Sequence, residues 1–185
     1  MTRDRNLLQV GGCLLLATVV AACSDPVSPP AQGGLSIRVT PPSSGTCGVT
    51  YQATIPTTDA PTPTSAGTPL TDGDLGAKVS CVVKEDGDGY YLNGSISFGQ
   101  LSYNIVGHVP ASGTSAADVR VTAQNTSQGT SPLQGGCTVT IGSSPQTVAA
   151  GEIFATFSCP EFNDNMSPDI RCSSEGTVVF ERCSK

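Results

Sequence analysis

From residue 79 onward, apolar and polar residues alternate with a period of two. Val79, Cys81 and Val83 share one parity, with Ser80, Val82 and Lys84 on the other. Leu101, Tyr103, Ile105 and Val109 share one face of "LSYNIVGHVP". Val119, Val121 and Ala123 alternate with Arg120 and Thr122, and Cys137, Val139 and Ile141 with Thr138 and Thr140. Ile153, Ala155, Phe157 and Cys159 form a further face, and "GTVVFERC" closes the pattern. Successive side chains of a strand point to opposite faces, so each run predicts a strand buried on one side. In "KEDGDGYY" an Asp-Gly pair lies between the runs at 79–84 and 90–98, the signal of a tight hairpin. Gly, Pro, Ser and Asn separate the runs, and no segment after the N-terminal head sustains a period of 3.6. The pattern predicts an all-β fold: one antiparallel β-sandwich or small barrel of about 7–9 strands, over residues 35–185.

Three stretches break the alternation. Residues 56–76, "PTTDAPTPTSAGTPLTDGDLG", are rich in proline and hydroxyl residues and read as a long surface loop. Residues 24–34, "SDPVSPPAQGG", carry almost nothing to bury and read as a semi-extended tether. The third is the head. Arg3 and Arg5 precede a mostly apolar run, Leu7 to Ala22, interrupted by Gln9, Gly11 and Gly12. A membrane-spanning helix needs about 20 apolar residues, whereas a basic head, a short apolar core and small residues at its end describe an export signal.

That run ends Val20-Ala21-Ala22-Cys23. An aliphatic residue, two small ones and a cysteine resemble the signal box of bacterial lipoproteins. The resemblance implies cleavage after residue 22 and a diacylglyceryl group on the Cys23 sulfur. It further implies outer-membrane delivery, because Ser24 follows the cysteine where Asp is the usual inner-membrane retention signal; Asp25 stands one place later. Val10-Gly11-Gly12-Cys13 also fits the box. Only Leu7, Leu8, Gln9 and Val10 separate it from the polar head, too few for a signal core of about 7–15 apolar residues. Cys13 therefore leaves with the signal peptide.

Without residues 1–22 the chain keeps seven basic and fourteen acidic residues, a formal charge of −7. Such a surface excludes nucleic acid as a natural partner and offers no attraction to anionic lipid headgroups. Membrane attachment falls to the acyl chains, two or more of which hold stably.

Of eight cysteines, Cys47, Cys81, Cys137, Cys159, Cys172 and Cys183 remain for the domain. Six cysteines in an exported chain imply a disulfide framework in an oxidising compartment. No Cys-x-x-Cys pair is present, so zinc is not expected, nor any cofactor. Six cysteines allow 15 connectivities. Cys137 and Cys159 lie on the apolar faces of predicted strands and are one candidate pair. Cys159 and Cys172 bracket "PEFNDNMSPDIR", which reads as a polar loop in want of a clip, and Cys159–Cys172 is the preferred pairing there. With no Trp, five Phe and four Tyr, the core is thin in aromatics, and staples are a natural supplement. From "AAGEIFATFSCP" to the terminal "VVFERC", the cysteine placement over residues 45–183 resembles that of small cysteine-rich bacterial envelope lipoproteins. The likeness supports the fold and implies no chemistry.

Few residues suggest a reaction. His108 is the single histidine and reads as a solvent-facing strand residue. "GSISFG" (94–99) only superficially resembles a nucleophile elbow. Glu85, Asp86 and Asp88, with Asp72 and Asp74, fall where tight turns favour acids and glycines. Asp164 and Asp169 lie within the polar stretch "PEFNDNMSPDIR". A glycosidase would need two such carboxylates facing each other across a cleft, about 5–9.5 Å apart. The calcium-loop spacing is absent, so no metal is expected. Tyr90 and Tyr91 are adjacent, so one faces inward and one outward, and the outward ring beside Asn93 is a candidate glycan contact. Asn93-Gly-Ser and Asn125-Thr-Ser match a glycosylation pattern that carries no weight in a bacterial lipoprotein.

The resulting expectation is a non-enzymatic, lipid-tethered envelope domain with a binding or structural role and an envelope protein or glycan as partner. The alternative is a carboxylate-dependent hydrolase acting on glycans.

Overall fold

A computed structural model describes residues 28–42, 47–56, 69–115, 118–128, 132–164 and 169–185. Twelve strands form one sheet: β1 (Gln32–Thr40), β2 (Tyr51–Ile55), β3 (Leu70–Thr71), β4 (Lys78–Asp86), β5 (Gly89–Phe98), β6 (Leu101–Pro110), β7 (Gly113–Thr114), β8 (Val119–Asn125), β9 (Leu133–Ile141), β10 (Thr147–Ala149), β11 (Glu152–Asp164) and β12 (Arg171–Glu181). The main path runs β2-β1-β12-β11-β9-β8-β6-β5-β4, while β3, β7 and β10 pair with β1, β9 and β11. Every strand pair is antiparallel. The sheet curls strongly into a half-barrel, so the expected antiparallel β fold is formed as one curled sheet, with twelve strands among the described residues where about 7–9 were expected. No α-helix occurs among the described residues.

The alternating runs bury the predicted faces. Leu35 and Ile37 of β1, Ile105 of β6, Val121 of β8, Val139 of β9 and Phe180 of β12 are fully enclosed. Two aromatic packings fill the concave side. The Phe180 ring lies where a side chain at position 94 would project, so Gly94 of β5 leaves it room across the barrel. Tyr103 packs its ring 5.6 Å from that of Phe157. The β4–β5 hairpin turns through Gly87 and Asp88, with Gly87 in the left-handed region at φ 63° that a two-residue turn requires.

Three disulfides consume the six domain cysteines: Cys47–Cys172, Cys81–Cys183 and Cys137–Cys159. The expected Cys159–Cys172 bridge is not formed. The segment taken for a polar loop continues β11 to Asp164, and a register shift between Cys159 and Phe162 sets Phe162, fully buried, opposite Cys172. Cys159 instead faces Cys137 across the adjacent strand, and Cys172 reaches the β1–β2 connection at Cys47.

Two boundaries also move. The first strand begins at Gln32, inside the segment read as tether, because Gln32, Gly33 and Gly34 pair with Glu181, Phe180 and Val179. The stretch read as one loop over 56–76 contains β3 and a 3-10 turn at Asp74–Gly76, and 57–68 of it lies outside the described residues. The lipidation box, with Cys23, also lies outside them.

Candidate functional surfaces

The cross-strand registers decide which of the candidate residues meet. Lys84 pairs with Tyr91, and Tyr91 with His108, so the three form one row on the convex face of β4, β5 and β6. The Lys84 amine sits 5.4 Å from the Tyr91 ring centre, a cation–π contact that covers one ring face. His108 Nε2 lies 2.8 Å from the Asp86 carbonyl oxygen and 4.0 Å from an Asp88 carboxylate oxygen. Asp88 is fully exposed, which leaves that pairing to solvent screening. Tyr90 has the opposite parity and packs partly buried against the core. Of the two tyrosines, the outward ring is Tyr91.

The carboxylates do not converge. Asp72 accepts the Val79 amide at 2.8 Å and holds the start of β4. Asp86 and Asp88 flank the hairpin turn, and Asp169 lies at the opposite end of β12 from the tail. Gln32 and Ser174 are the buried polar residues among those described, and no described carboxylate is buried. Nor do three His, Cys, Asp or Glu side chains gather at one point among the described residues.

The rest of the convex face is clothed in hydroxyls. Thr54, Ser36, Thr177, Thr156, Thr140 and Thr114 stand opposite one another across β2, β1, β12, β11, β9 and β7. Beside this row the cross-strand neighbours Arg38 and Glu175 are exposed. A shallow depression of about 470 Å³ spans them. The row satisfies part of itself: Thr114 and Thr140 hydroxyls share a hydrogen bond of 2.9 Å, and Thr156 donates to the Thr140 carbonyl. Sequence alternation marks these threonines only as solvent-side residues; their alignment needs the register.

Two clefts line the seams of the half-barrel. One, of about 600 Å³, lies between β4 and the C-terminal tail and includes Ser28, Asp72, Arg182 and Lys185. The other, of about 410 Å³, runs between β2 and the β5–β6 turn. Inside the half-barrel the hydroxyls of Tyr51, Tyr103 and Ser174 have no hydrogen-bond partner among the described residues. Burial pushes the Tyr51 phenol up to about 12 and that of Tyr103 well above its ordinary range.

No family model, curated protein or solved structure matches this chain.

Proposed function

We propose that the chain is an exported lipoprotein, anchored through Cys23 in the cell envelope at the outer membrane, whose disulfide-stapled β-domain works by non-covalent binding. The observation that carries this reading is the cysteine count. Six of the eight cysteines pair with one another inside the domain, which leaves Cys13 and Cys23 as the two outside it. The box Val20-Ala21-Ala22-Cys23 assigns lipid to the second of these and discards the first. Disulfides favour an oxidising compartment, in accord with export. No described acid is buried, and the imidazole of His108 is held by a backbone carbonyl, an arrangement suited to presenting a surface.

Intact-mass analysis of the chain recovered from bacterial membranes tests the anchor. The expected product starts at Cys23 and carries acyl mass that Cys23→Ser abolishes. An unacylated product starting at Cys23 or Ser24 would overturn the reading. A glycan partner has one specific observation in its favour, the outward Tyr91 ring between Lys84 and His108. Saturable binding to solubilised envelope polysaccharide, lost in Tyr91→Ala, would establish it.

A further inference from the structure

The sheet path ends at β2 on one side, and among the described residues β2 pairs with β1 alone. Among the described residues no backbone hydrogen bond leaves the other side of β2. An unpaired edge presents a row of N–H and C=O groups that templates another strand, and proteins usually guard it with Lys, Pro or a bulge. Tyr51-Gln52-Ala53-Thr54-Ile55 has none of these within it and pairs with β1 without a register shift. Beside this edge runs the cleft of about 410 Å³, with Gln52, Ala53, Thr54 and Ile55 on one wall and Phe98 and Leu101 on the other.

We infer that this cleft binds an extended, uncharged peptide segment of a partner protein, added to β2 as a further strand. The inference rests on the reading of the chain as a tethered binding domain and names the class of partner and the place. Main-chain pairing supplies the attraction, and alternate side chains of the segment meet the cleft walls. No charged residue lines the cleft in a chain of net charge −6, so the walls select against charged side chains. The cleft is walled on both sides, which suits a lone strand. The edge of a second copy would bring its own β1 into the β5–β6 turn.

The test uses the purified full chain in detergent and a fluorescent heptapeptide alternating threonine and valine. A strand added to an edge uses the amides on one of its sides only. Of two versions N-methylated at alternate amides, one should therefore bind at least tenfold more weakly and the other should match the parent. Thr54→Lys should weaken the parent peptide at least tenfold while leaving the melting temperature within a few degrees of wild type. Equal binding of both methylated versions, no saturable binding, or indifference to Thr54→Lys would overturn the inference. So would a concentration-dependent dimer in sedimentation that Thr54→Lys dissolves without any peptide binding, which assigns the edge to a second copy. Acyl mass at Cys23 is measured on the same preparation. A lipidated chain that ignores the peptide refutes the cleft alone, and an unlipidated chain that binds it refutes the anchor alone.

Discussion

Strands β4 and β2 are the two ends of one sheet path, and the fold treats them in opposite ways. Along the outer side of β4, alternate residues from Ala77, just before the strand, to Val83 have partners. The Ala77 carbonyl accepts from Gly73, Val79 donates to the Asp72 carboxylate, and the Cys81 carbonyl accepts from Ser184. Val83 donates to the Ser184 carbonyl and accepts from Gly151. The tail that supplies Ser184 leaves β12 through Arg182, whose left-handed φ of 57° turns the chain, and Cys183 locks to Cys81. On β2 nothing comparable is present among the described residues. A protein that seals one edge with a strained residue, a disulfide and four backbone bonds has the means to seal both, and the difference marks β2 as the edge left for use.

The largest expected effect comes from unsealing β4. In Cys81→Ala with Cys183→Ala, the tail loses the bond that closes a loop of 102 residues. Removing a native bridge of this kind costs about 2–5 kcal/mol, a large share of a typical total of about 5–15 kcal/mol. Denaturant unfolding should show a loss in that range, with Val83 exchanging its amide proton faster than in wild type. An unchanged midpoint would mean that the tail's backbone bonds hold β4 alone, and that the contrast between the edges does not depend on the disulfide.

How much of this contrast was legible in the sequence differs sharply between its two sides. Strands β4, β5, β6, β8, β9, β11 and β12 were visible because each buries one face and alternates accordingly. Strands β1 and β2 were not. Gln32-Gly33-Gly34 has the composition of a linker yet is buried by pairing with β12, an outcome that only long-range register decides. The disulfides were legible as three bridges, but of their pairings only Cys137–Cys159, on two alternating strands, stood among the candidates; Cys47 reaches a partner 125 residues away. Adjacency put one of Tyr90 and Tyr91 on the outer face without deciding that it is Tyr91. Its neighbours Lys84 and His108, like the hydroxyl row, required the hairpin registers. Open and sealed edges are properties of topology, and no local pattern records them.

A smaller effect belongs to Asp72, which lies before β4 and caps it from the side. Its carboxylate is the acceptor for the amide of Val79, itself buried. In Asp72→Ala that amide loses its partner, at about 1–3 kcal/mol. The chemical shift and exchange rate of the Val79 amide should change while those of β2 stay as they are. A change spread equally over both edges would show that the start of β4 is not separately secured.

Alkaline pH should act on the interior between the edges. Tyr51, on β2, ionises at about 12 when folded against 10 in an unfolded chain, because burial disfavours the phenolate. A raised folded value means that the folded state holds its proton longer. Tyr51's contribution to stability is therefore complete below pH 10 and lost as pH climbs from 10 through about 12. Tyr103 acts in the same direction, because burial holds its phenol well above the ordinary range. The melting temperature should fall steeply above pH 10, and Tyr51→Phe should reduce the fall. At pH 7 the same variant should be neutral or slightly stabilising, since the hydroxyl it removes has no hydrogen-bond partner. A clear loss of stability at pH 7 would show instead that a buried water satisfies that hydroxyl.

The smallest effect on stability is expected at the open edge itself, and its smallness is what separates an edge left for use from one left by neglect. Thr54 faces solvent partly, pairs with Ser36 on β1, and makes no side-chain hydrogen bond within the described fold. Exposed positions of this kind change stability by no more than about 0.5 kcal/mol when substituted. Thr54→Lys should stay within that margin in denaturant unfolding, although a lysine on an unpaired edge is a strong deterrent to strand addition. The same variant should remove peptide binding and any slow aggregation of the wild-type chain at high concentration, measured by light scattering. A loss of stability above about 1 kcal/mol would place Thr54 in the structural frame with β4, and the asymmetry of the two edges would then describe only how the barrel closes.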